Sequence, residues 1–182
     1  METTTDSLLV ATDRQRAFIR VLGRGSFKIS PALKQFGQKA ADLGCSEFVI
    51  DMEPCLGMDS TFMGVIAGLA LRLKRDVAGR VILINLNPKN DALLRTLGLD
   101  RLVAMGSTQA TAAAPPDAPA SGGGLSPLET GAAGKKLTAE TMLAAHEDLV
   151  RFCPENMPRF QDVLAYLKEE VKRAGGGDEK AK

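Results

Sequence analysis

The sequence predicts a small α/β domain, a mixed β-sheet layered with helices, followed by a flexible linker and a C-terminal helical pair. Three observations carry this. Between residues 8 and 105, short β-favouring apolar runs alternate with segments of helical period. Residues 106–136 then turn abruptly to Ala, Pro, Gly, Ser and Thr, a composition that buries too little surface to offset its ordering entropy. Residues 137–174 return to amphipathic helical spacing, and 175–182 read as a frayed tail.

Taken in order, Leu8 to Thr12 and Ala17 to Leu22 flank the polar Asp13-Arg14-Gln15-Arg16 and predict a hairpin. Gly23-Arg-Gly25-Ser26-Phe27-Lys28 imitates the glycine loop of protein kinases. A kinase also needs a strand lysine, a catalytic-loop aspartate and an Asp-Phe-Gly in order. The chain lacks that series, so the glycines read as a strand exit. Ser30-Pro31 predicts a helix start with Ser as N-cap, and Leu33, Phe36, Ala40 and Leu43 follow at helical spacing up to Gly44.

Phe48 to Ile50 is the next strand, with Asp51 at its end. Pro54 and Gly57 then break regular structure. Asp59 is a natural N-cap for a helix running to about Val77, which places Ser60 and Thr61 in its first turn. Met63, Ile66, Ala67, Ala70, Leu71 and Leu73 form its apolar face, and Gly79 closes it. Val81 to Ile84 reads as a strand covered on both faces. Asn87-Pro88 leads into a helix from Asn90 to Leu97, and Leu102 to Met105 is the last expected strand.

After the linker, a helix from near Thr138 carries Met142, Leu143, Leu149 and Val150. Pro154 interrupts, and Asn156-Met-Pro158 caps a second helix bearing Phe160, Val163, Leu164, Leu167 and Val171. Two helices alone make a poor core. They pack on the α/β part, on a second copy through self-association, or on a partner.

Composition narrows the function. With 23 basic and 22 acidic residues, no Trp and one Tyr, neither charge nor aromatic stacking points to nucleic acid. Cys45, Cys55 and Cys153 are odd in number and lack CxxC spacing, which suits reduced thiols in a cytoplasmic protein. Met1-Glu-Thr-Thr-Thr-Asp has no basic or apolar leader character, and no stretch is long enough for membrane insertion. His146 stands beside Glu147 and Asp148, but sequence neighbours on a helix point apart. It reads as a surface or packing residue rather than a metal ligand. No nucleophile, base and oxyanion hole assemble, so no enzyme, cofactor or metal is expected.

Residues 8–105 resemble a STAS domain, the fold of bacterial anti-sigma-factor antagonists. The family pattern is an aspartate at a strand end and, eight residues later, Asp-Ser-Ser/Thr-Gly-Leu-Gly. Here Asp51 is followed at that spacing by Asp59-Ser60-Thr61-Phe62-Met63-Gly64, with Phe62 where glycine is usual and Met63 where leucine is usual. Asn87-Pro88-Lys-Asn-Asp-Ala-Leu-Leu94-Arg-Thr-Leu97-Gly98-Leu99 is similar to the family's segment between its last two strands.

The resemblance implies a phospho-regulated protein-binding module in a bacterial partner-switching pathway that regulates transcription. Its partner would be an anti-sigma factor that is also a serine/threonine kinase. By position Thr61 is the phosphorylated hydroxyl, with Ser60 the second choice, and Asp51, Asp59, Ser60, Thr61, Phe62 and Met63 form the partner surface. The alternative within the family is a non-enzymatic accessory subunit of a lipid-transport ABC system, which would use the same surface.

Overall fold

The computed structural model describes residues 5–107, 124–131 and 133–176. Strands β1 (Ser7–Asp13) and β2 (Arg16–Gly25) form the expected antiparallel hairpin, with Leu8 opposite Val21 and Asp13 opposite Arg16. β3 (Glu47–Asp51), β5 (Arg80–Ile84) and β6 (Ala104–Gly106) add in parallel and β7 (Ser126–Pro127) antiparallel, giving the order β6-β5-β3-β2-β1-β7. Their side chains alternate between faces, as a pleated strand requires. Ile19, Val21, Phe48, Ile50, Val81 and Leu83 share one core with the helices. Phe18, Val49, Ile82 and Ile84 form a second cluster on the opposite face, with Ala11 and Leu125 against it.

Several elements differ from expectation. α1 (Ser30–Asp42) starts at Ser30 itself, which is not its cap: the hydroxyl donates to the Ser26 carbonyl at 2.8 Å. The segment broken by Pro54 and Gly57 still forms a strand, β4 (Cys55–Met58), paired in parallel with the end of β2. Its geometry is held from outside, because Asn87 and Asn90 each donate to the Cys55 carbonyl at 3.0 Å. α2 (Ser60–Val77) ends on Ala78, one residue before the expected glycine, in the left-handed conformation with φ 51°. α3 (Pro88–Thr96) begins earlier than expected, since Asn87 accepts the Asn90 amide at 2.8 Å and acts as its cap. A 3-10 turn at Leu99–Arg101 pushes β6 two residues later.

Most of the range expected to be linker, and the tail beyond residue 176, lie outside the described residues. Within the described part of that range, β7 (Ser126–Pro127) pairs antiparallel with Val10 and Leu9 of β1. The helical pair is α4 (Lys135–Phe152) and α5 (Met157–Gly175), joined by a 3-10 turn at Pro154–Asn156. Asn156 does not cap α5 with its side chain; it donates to the Leu97 and Leu149 carbonyls and ties the joint to the α/β part.

The pair packs on the chain's own α/β domain, the first of the three expected covers. α4 lies on α2, and Ala145, Leu149, Phe160 and Leu164 enter the same core as Phe48 and Ile66. The buried line of α4 is Thr141, Ala145 and Leu149, at four-residue spacing. Met142, Leu143 and Val150 are only half-buried. On α5, Phe160, Leu164 and Leu167 are buried while Val163 is exposed.

Candidate functional site

The first turn of α2 is built by one carboxylate. Asp59 accepts the Phe62 amide at 2.9 Å, the N-cap bond, and its other oxygen accepts the Phe27 amide at 2.6 Å. Its own amide donates to the Gly25 carbonyl at 2.9 Å. The cap therefore welds three pieces together: the end of β2, the loop before α1 and the start of α2. Ser60 and Thr61 follow at the first two helical positions, where unpaired backbone N–H groups and the helix dipole favour negative charge.

Asp51 is placed differently. It is buried at the end of β3, accepting from Arg20 Nε at 2.9 Å, Asn85 Nδ2 at 3.0 Å and the Glu53 amide at 3.1 Å. These bonds join β2, β3 and the end of β5. Asp51 and Asp59 thus frame the stretch between them without sharing a hydrogen-bond partner.

The large residues of the motif point inward. Phe62 is fully buried, and its ring lies where a Cβ on Gly25 would come within 2.6 Å. Gly25 of the kinase-like hexapeptide is thus the gap that accepts Phe62. Met63 is also buried, and Thr61 is only 3 % exposed.

Ser60 is half-buried and meets a residue that sequence reasoning assigned only to surface or packing. His146 of α4, 2 % exposed, has Nε2 at 2.9 Å from Ser60 Oγ and Nδ1 at 2.7 Å from the Met142 carbonyl. A carbonyl can only accept, so Nδ1 carries the proton and, in the neutral ring, Nε2 accepts from the Ser60 hydroxyl. The ring also packs edge-on against Phe160, with centroids 5.0 Å apart. The two positions stand 86 residues apart in sequence, and no local signal links them.

A serine with a histidine acceptor invites a catalytic reading. A cavity of about 80 Å³ where α1, α2 and α4 meet is lined by Lys34, Gly68, Arg72, Thr141 and Asp148, and neither Ser60 nor His146 is among its lining residues. The pair is a bond between α2 and α4. Burial raises the Asp148 carboxyl above its ordinary pKa, only partly offset by Arg151 and Lys34. Cys55, lying near the motif, is buried, and desolvation raises its thiol pKa as well. Phe27, whose amide Asp59 accepts, is 41 % exposed, and Leu56 of β4 is 62 % exposed. Among the described residues no helix is long and apolar enough to cross a membrane, and no His, Cys, Asp and Glu cluster is placed to hold a metal.

A family model described as the STAS domain matches residues 7–112. The match ends before α4 and α5. A search of curated proteins gives no match. Among solved structures, the anti-sigma factor antagonist SpoIIAA in its unphosphorylated form is similar at 21 % identity and a TM-score of 0.52, covering 57 % of this chain and 91 % of that one. The Bacillus cell fate determinant SpoIIAA in its phosphorylated form is 21 % identical over 57 % of this chain and 95 % of that one, with a TM-score of 0.48. A putative anti-sigma factor antagonist from Thermotoga maritima is 16 % identical over 53 % and 83 %, with a TM-score of 0.49.

Proposed function

The chain belongs to the STAS domain family, and from that premise we propose that it is a phospho-regulated protein-binding module of a bacterial partner-switching pathway. Thr61 is the switch hydroxyl, with Ser60 second. The partner is an anti-sigma factor acting as a serine/threonine kinase, in the cytoplasm, and the readout is transcription. The observation that carries the reading is the Asp59-capped first turn of α2, which holds two hydroxyls at the end of the β3–β4 segment.

The mechanism follows from charge. An unmodified hydroxyl is small and neutral. A phosphoryl group adds a charge of about −1.5 to −2 in the turn that already contains the Asp59 carboxylate. The helix dipole offsets only about 0.3–1 kcal/mol of the added charge. A partner surface built for the neutral form is then repelled and forced to desolvate a dianion. Binding is switched off without refolding the domain, and the module itself performs no catalysis.

Intact-mass measurement and phosphopeptide mapping of protein from its native cells test this, together with partner affinity of three variants. Modification is expected at Thr61. Thr61→Glu is expected to weaken binding, Thr61→Ala to bind and escape regulation, and Ser60→Ala to have the mildest effect. Modification at Ser60 alone would move the switch. Equal affinity of Thr61→Glu and Thr61→Ala for a constant stoichiometric partner would favour the ABC accessory subunit instead.

A further inference from the structure

We infer that the Gly64–Gly68 face of α2 is a helix-docking groove whose resident occupant is the chain's own α4, so that an incoming partner must displace α4 to reach the switch. The inference rests on the reading of the α2 start as the binding face and adds its regulation.

Three features of the contact support it. The first is shape. A Cβ on Gly64 would collide with the Ala145 backbone and lie 2.7 Å from the Ala145 Cβ, and one on Gly68 would collide with the Asp148 carboxylate. Gly64 therefore opens a gap that admits a helix presenting a small residue, and Gly68, one turn on, leaves room for the Asp148 side chain. The second is polarity. At the end of this groove His146 accepts from the Ser60 hydroxyl, so the occupant reads the motif itself rather than a neighbouring surface. The third is imperfection. The Thr141 hydroxyl is buried in the contact with no hydrogen-bond partner among the described residues, and Asp148 is a partly buried carboxylate above the cavity where α1, α2 and α4 meet. An unpaired buried hydroxyl costs free energy that exposure to water returns. Here both groups lower the cost of parting.

The geometry also defines the competitor. It is an amphipathic helix with a small residue to set against Gly64 and a hydrogen-bond acceptor in reach of Ser60. α4 follows β7, itself paired with β1, by a few residues of chain, so it re-engages as an intramolecular ligand and sets the threshold that a partner has to exceed. Thr61, 3 % exposed, follows Ser60, which α4 holds through His146, so a kinase meets the same threshold.

Thiol labelling tests this without a kinase or partner, so its failure refutes the cap and leaves phosphorylation of Thr61 to its own mapping. The full chain carrying Thr61→Cys is treated with a maleimide, and mass spectrometry locates the adduct. Native Cys45 and Cys55, both buried in the α/β core, report whether that core stays folded. Labelling at position 61 is expected to be slow, and roughly tenfold or more faster when Leu149→Asp undocks α4. Cys45 and Cys55 should stay protected. A synthetic peptide of residues 135–176 should slow the reaction of the Leu149→Asp chain again. Gly64→Ala, which wedges the same contact from α2, is the second variant.

Unchanged labelling at position 61 in both variants would overturn the inference. So would simultaneous labelling of position 61, Cys45 and Cys55 in both, since α4 would then be inseparable from the core. Failure of the peptide to protect the undocked chain would refute the groove as a helix site.

Discussion

Asp51 and Asp59 are carboxylates of one short stretch, yet their oxygens have unlike tasks. Asp59 organises backbone amides and makes a helix begin. Asp51 gathers side chains from neighbouring strands. At the same scale, the Ser60–His146 bond is a hydrogen bond that joins the motif to the extension. A neutral hydrogen bond of this kind contributes about 0.5–1.5 kcal/mol net. A double-mutant cycle of Ser60→Ala and His146→Ala, read by urea unfolding, is expected to show a coupling of about that size. Additive single effects would mean that the bond stabilises nothing, and that His146 matters through its packing on Phe160 alone.

α4 is the element whose chemistry is least like that of a core helix. Its Asp148 carboxyl is raised by desolvation, against the pull of Arg151. A carboxyl with a raised folded-state pKa binds protons more tightly folded than unfolded. Its contribution is therefore most favourable below the ordinary carboxylate pKa, and is lost as pH rises from there through the raised value. Asp148→Asn removes this term. The stability difference between Asp148→Asn and the wild type should grow in favour of the variant as pH climbs through that window, and level off above it. A flat difference in pH-dependent melting would show that the carboxylate is fully solvated when α4 is docked. α2 shows the complementary case, since its last turn is closed by left-handed Ala78 and satisfied by Gly79 donating to the Leu73 carbonyl.

Across the whole molecule the layers run sheet, α1 and α2, α4, then α5. Leu164 of α5 is buried in the shared core although it lies in the outermost layer. Leu164→Ala is expected to cost about 2–5 kcal/mol of the stability of the outer layer. Native-state hydrogen exchange separates layers, because local opening carries its own free energy. Amides of α4 and α5 should lose that protection while those of β3 and β5 keep theirs. Equal losses in all four elements would show a single cooperative unit.

What the sequence by itself determined was whatever depends on near neighbours along the chain. The hairpin around Asp13-Arg14-Gln15-Arg16, the strand ending in Asp51 and the Asp59 cap with Ser60 and Thr61 behind it are all local: an apolar period, a turn, a carboxylate three residues from the amide it accepts. The motif spacing that marks the family is local in the same sense. The tertiary structure decided everything set by surfaces meeting. The large apolar residues of α4 suggested a face through Met142, Leu143, Leu149 and Val150, yet of these only Leu149 lies on the buried line, with Thr141 and Ala145. That choice is made at Gly64, whose missing side chain lets the α4 backbone approach at Ala145, while Gly68 leaves room for Asp148. Phe62 found its space opposite Gly25, and His146 its partner in Ser60, across separations that no periodicity encodes. Capping is an interaction of a few bonds' reach; docking is complementarity between two finished surfaces, and it exists only once both have folded.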